Sequence, residues 1–131
     1  MLSEFTAVTR ALRDPQRIKA LKLLQHGELC VCEIQAALCI SQATVSKHLS
    51  ILSSVGLLER RQAGLWAYYR LCPSPATPYA SSLLGSLRHW LEDDPQIRNI
   101  IEKLPEIRGQ HLCNGPGCKP KHHKPYERKV R

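Results

Sequence analysis

No stretch of this chain approaches the ~20 consecutive apolar residues of a membrane-spanning helix. Its first residues, MLSEFTAVTR, lack a basic segment followed by an apolar run. A cytoplasmic protein without a membrane partner is expected. There is also no C-x-x-C pair on an alternating strand–helix pattern, which weighs against a dithiol oxidoreductase of the thioredoxin kind. No histidine spacing suggests a catalytic zinc, so the expectation is a protein that is not an enzyme. With 131 residues the chain is one domain by length and leaves enough surface for self-association.

What is present is thiol and positive charge. In a reducing compartment the six cysteines point to free, metal-binding or redox-active thiols before structural disulfides. The net charge of +8 favours a polyanionic partner such as nucleic acid. It is unevenly placed. The stretch KPKHHKPYERKVR, residues 119–131, carries six Lys or Arg against one Glu and no apolar periodicity, which reads as a flexible basic tail. The division expected is a folded unit over 1–108 and a cysteine-containing tail over 109–131.

The body is patterned mainly for helices. Leu2, Phe5, Val8 or Thr9, and Leu12 recur at helical spacing, and Asp14-Pro15 ends that helix and starts the next, whose core face is Ile18, Leu21 and Leu24. A third helix is expected over 30–38. Cys39-Ile40 then makes a tight connection, and Ser41 caps QATVSKHLSILSSVG. On that helix Val45, Leu49 and Leu52 share one arc, while Ala43, Ser46, Lys47 and Ser50 lie opposite. A small, polar, cationic face suits a DNA major groove, with Gln42 and Lys47 bonding to bases or phosphates and Ala43 or Thr44 meeting a thymine methyl. An ordinary solvated face is the alternative.

The next residues weigh against that alternative. LLERRQAGLWAYYRL, 57–71, reads as two strands around Gln62-Ala63-Gly64, with Arg60 and Arg61 near the tip. A helix-turn-helix followed by a basic hairpin is a winged-helix arrangement, in which the wing grips phosphates and the helix reads bases. Mainly α with a β-hairpin wing is therefore the fold expected. After Cys72-Pro-Ser-Pro, a helix over 77–92 carries Leu83, Leu84, Leu87, Trp90 and Leu91, and Ile97, Ile100, Ile101 and Leu104 continue the apolar stripe. Together with the first helix these terminal helices are read as a homodimer interface, matching a two-fold symmetric operator.

Cys30 and Cys32, in ELCVCE, pose a geometric problem. Helical side chains two residues apart are ~200° apart around the axis, so both sulfurs meet one target only if the first turn distorts. That turn is the cheapest to distort, because its amides lack internal partners, and the positive helix end favours thiolate.

ELCVCEIQAAL, SQATVSKHLSILSSVGLLERR and GLWAYYRL resemble the arsenical-resistance repressors of the ArsR/SmtB family, from about Leu12 to Leu91. The resemblance implies a dimeric winged-helix repressor that leaves operator double-stranded DNA when As(III) or Sb(III) binds cysteine thiolates, with Cys30 and Cys32 as ligands. It also implies a DNA-facing set of Gln42, Ala43, Thr44, Ser46, Lys47, His48 and Ser50 on the helix, with Arg60 and Arg61 on the wing. The chain departs from the C-V-C-x-x-C pattern, since the third thiol position is Gln35. Cys39 lies about two turns from Cys32 and reads as a packing residue at the tight turn, and Cys72 reads as structural. Cys113 and Cys118, flanking Asn-Gly-Pro-Gly, are the candidates for a third ligand, with a disulfide between them or idle thiols as alternatives. A two-thiol site would favour a singly methylated arsenical. His89-x-x-Glu92 matches half of a zinc site found in relatives, but Pro75-Ala76-Thr77-Pro78 lacks the other half. Within the family a cadmium, lead or zinc sensor, or a repressor that senses thiol oxidation, is the second reading.

Overall fold

A computed structural model of the chain describes residues 1–109. Its elements run α1 (Leu2–Ala11), α2 (Pro15–Leu24), β1 (Leu29–Cys30), α3 (Val31–Leu38), α4 (Gln42–Ser54), β2 (Leu58–Ala63), β3 (Trp66–Leu71), α5 (Pro78–Leu87), α6 (Pro95–Glu102) and α7 (Leu104–Gly109). Three helices begin alike: Asp14, Thr77 and Asp94 each accept a first-turn amide, and a proline follows in the first turn. The expected winged helix-turn-helix is what folds. Among the described residues no helix is long and apolar enough to cross a membrane.

The core is built by α2, α3 and α4, closed from one side by the sheet and from another by α6 and α7. Leu21, Leu23, Leu29, Ile34, Leu49, Leu52, Leu57 and Leu104 are all sealed from solvent within it. Between α3 and α4 the chain turns at Cys39, which adopts a left-handed conformation (φ 57°) and donates its N–H to the Gln35 carbonyl at 2.9 Å. Glycine is the usual residue there. The Cys39 side chain is exposed, so the packing role expected for it is not the one it has.

Three departures from the sequence reading matter for function. The sheet has a third strand: β1 pairs antiparallel with β3, giving the order β1-β3-β2. The wing turns at Gly64-Leu65, one step later than expected, because Ala63 pairs with Trp66 and Gly64 takes φ 63° as the first residue of a two-residue hairpin turn. Arg60 and Arg61 therefore lie within β2, and exposed Leu65 occupies the tip. Finally, the apolar stripe of the terminal helices divides. Ile97, Ile100, Leu104 and Ile107 are buried against the chain's own core, so this part of the stripe packs in cis and is not free to face a partner.

The helix expected to reach residue 92 stops at Leu87 because of Lys22. Its ammonium group, fully buried, donates to the Leu87 and Trp90 carbonyls at 2.9 Å each and pairs with Glu92 at 3.1 Å. A buried charge survives only with such partners, and these three oxygens are supplied by the chain wrapping round it. Leu91 accordingly turns left-handed (φ 64°).

Candidate functional site

Strand pairing settles where the two neighbouring thiols go. Residues opposite one another share a sheet face, and consecutive residues alternate. Leu29 opposes Tyr69 and faces the core, whereas Cys30 opposes Tyr68 on the outer face. Arg61 also opposes Tyr68, and Ala63 opposes Trp66. Cys30, Trp66 and Tyr68 form a second buried cluster against which Cys32 and Ala63 pack. Cys30 is extended (φ −83°, ψ 163°) and is the N-cap of α3, so the ~200° helical separation from Cys32 does not apply. The expected frayed turn is not needed. It is pinned: buried Glu33 reaches back to accept the Cys30 N–H at 2.9 Å, one half of a capping box.

The same face carries a charged clasp. Glu28 accepts two hydrogen bonds from Arg61, at 2.6 and 3.1 Å, and the guanidinium stacks 4.7 Å from the Tyr68 ring centroid. Those bonds push the Arg61 pKa above its already high value. Arg61 thus ties the wing to the residue two before Cys30. It is less available to a phosphate than Arg60, whose guanidinium bonds only to the neighbouring Gln62 among the described residues.

On α4, Gln42, Ala43, Thr44, Ser46, Lys47 and Ser50 are all exposed, forming one continuous outward face. Ser41 caps the helix through the Thr44 N–H, and the two hydroxyls lie 2.7 Å apart. The Thr44 methyl is what remains for an apolar contact. His48 departs from the set: it is buried, with Nδ1 3.2 Å from the Arg17 guanidinium and Nε2 3.8 Å from Asp14. It braces α4 from behind. Nothing local marks this, because both partners lie more than thirty residues earlier.

The family model for bacterial regulatory proteins of the arsR family matches residues 14–60, which run from the α2 cap through the helix-turn-helix into β2. An arsenic resistance transcriptional regulator of Pseudomonas putida is 41% identical over 98 residues, 71% of this chain and 85% of that one. The chain belongs to the arsR family. The arsenical resistance operon repressor of Escherichia coli is 36% identical over 108 residues, covering 81% of this chain and 86% of the other. The solution structure of a homodimeric winged helix-turn-helix domain from Mycobacterium bovis, a possible ArsR-family regulator, superposes with a TM-score of 0.58 at 30% identity. That match covers 72% of this chain and 83% of the other.

The cysteines of this arsR-family chain fall into separate places. Cys39 and Cys72 are free thiols that do not belong to the Cys30 cluster, Cys39 at the helix-turn-helix corner and Cys72 donating its N–H to the Leu57 carbonyl after the wing. Cys32 is disulfide-bonded. Cys113 and Cys118 lie outside the described residues, and among the described residues no three His, Cys, Asp or Glu side chains converge. Glu92, half of the histidine-glutamate pair, is held by Lys22.

Proposed function

We propose that this arsR-family chain is a homodimeric repressor that binds operator DNA and releases it when As(III) or Sb(III) is taken by the reduced thiolates of Cys30 and Cys32, with Cys113 or Cys118 supplying a third. The observation that carries the reading is the shared outer sheet face: it sets both sulfurs beside wing residues and at the start of the helix that packs on α4. Soft trivalent ions select sulfur over oxygen donors, and the donor set fits. Cys30 belongs to both β1 and the α3 cap, so drawing its sulfur toward Cys32 strains the pairing with Tyr68 and the Glu33 bond together. Either change alters how α3 and the wing support α4. A coupling of ~1–3 kcal/mol between ligand and operator is the usual scale.

In this reading Gln42, Ala43, Thr44, Ser46, Lys47 and Ser50 enter the major groove, Arg60 meets the backbone, and His48 and Arg61 hold the frame. The dimer forms through α1 and α5, which meet edge-on at Phe5 and Tyr79, 5.3 Å between ring centroids. Leu2, Phe5 and, just beyond α5, Trp90 and Leu91 stay exposed. The test is arsenite titration of the fully reduced protein on a fluorescent operator fragment, beside a Cys113→Ser, Cys118→Ser variant. Release of the wild type alone supports a third thiol from the tail; equal release of both leaves Cys30 and Cys32 sufficient. No release of either sinks the arsenite assignment. The disulfide at Cys32 favours one second reading, an oxidant-responsive repressor, for which peroxide and not arsenite would release the operator.

A further inference from the structure

We infer that the corner between α1 and α2 is a phosphate-binding site that grips the DNA backbone beside the recognition helix. The inference rests on the DNA-binding reading above. A recess of about 320 Å³ at this corner is lined by Arg10, Arg13, Asp14, Pro15 and Arg17. Arg10 and Arg13 are exposed, and among the described residues none of the three arginines is ion-paired to a carboxylate. One carboxylate residue lines the recess beside three arginines. That carboxylate is committed: Asp14 Oδ1 accepts the Gln16 N–H at 2.8 Å as the cap of α2, and Oδ2 lies 3.8 Å from His48 Nε2. The corner therefore keeps a local excess of two positive charges, at the positive end of a ten-residue helix.

Arg17 is built in. Its Nε donates to the Ala11 carbonyl, one terminal nitrogen meets His48 Nδ1 at 3.2 Å, and the other meets the Arg10 carbonyl at 3.5 Å. These bonds satisfy the last carbonyls of α1 and tie the corner to α4. His48 follows Thr44 by four residues, only ~40° further round the helix. The corner therefore flanks the Thr44 edge of the exposed face of α4. A helix laid in a major groove has sugar-phosphate backbone along its edges, and guanidinium forks match phosphate oxygens. Arg10 and Arg13 would each take a backbone phosphate while Arg17 holds the corner in place.

The experiment measures affinity for the operator and for a scrambled duplex across roughly 50–200 mM salt. It compares the wild type, an Arg10→Gln, Arg13→Gln double variant, the two single variants, and Arg98→Gln, which removes one exposed charge from α6, as the control for each single substitution. Both corner residues are exposed, so the double variant should fold, which circular dichroism checks. The expected result is weaker binding of both duplexes by the double variant. Its slope of log K against log salt should be shallower by about one per lost contact, with the control unchanged. An unchanged slope, a loss confined to the operator, or an equal loss in the control overturns the site. Wild-type protein that binds neither duplex would fail the DNA-binding reading itself, whereas normal wild-type binding with an unchanged double variant fails only this inference. Inorganic phosphate bound by the wild type and not by the double variant, with the DNA slope unaltered, would assign the corner to a free anion and overturn the backbone role.

Discussion

Leu29 and Cys30 are adjacent in the chain and lie on opposite faces of the same sheet. The inner face, with Leu29, Leu58 and Tyr69, belongs to the main core that also holds α2, α3 and α4. Among the described residues the outer face buries Cys30, Trp66 and Tyr68, with Cys32 and Ala63 against them. One residue of register separates a position that holds the fold from the one proposed to sense a ligand. A small cluster away from the core can be rearranged at little cost to global stability, and a thiol placed there can respond without unfolding the protein.

The largest effect that would test this contrast is on the inner face. Leu29→Ala should cost about 2–5 kcal/mol in urea denaturation, the usual range for a fully buried leucine, against well under half of that for Cys30→Ala. Similar costs for the two would erase the distinction between the faces. Next in size is a functional loss without a structural one: Cys30→Ser or Cys32→Ser should keep operator affinity and abolish release by arsenite, read by fluorescence anisotropy. A variant still released normally would move the site off the outer face. A smaller, graded effect is expected of pH. Thiols must lose protons to bind, so the apparent arsenite affinity should fall as pH drops from about 7.5 to 5.5; a flat profile would count against thiolate ligation. The smallest concerns the clasp. Arg61 is half exposed, so Arg61→Gln should lower stability by only ~0–1 kcal/mol despite its two bonds to Glu28, measured as a shift in Tm. A loss comparable to that of Leu29→Ala would make the outer face part of the main fold.

Much of this architecture was readable from local pattern. Asp14-Pro15 and Ser41 announce helix starts because capping and proline restriction act within four residues. The wing was legible from Gly64 and the aromatic return strand, though its turn was misplaced by one step, since the pairing of Ala63 with Trp66 is a question of register. The two-residue strand at Leu29–Cys30 carries no alternation to read. It exists through its partners, nearly forty residues away. His48 entered the groove-facing set through the family resemblance, but lies at the edge of the buried arc, where Arg17 and Asp14 claim it.

By itself the sequence determined the helix-turn-helix, the basic wing, the C-V-C pair and the family resemblance they carry, because each is set by spacing within one or two elements. Tertiary structure alone decided that Cys30 stands outside the helix, that Cys30 and Cys32 pack beside Trp66 and Tyr68, that α6 and α7 pack inward, and that Lys22 ends α5. These depend on contacts between distant segments. Which face a residue meets, and which carbonyl needs a donor, exists only once the backbone has brought those segments together.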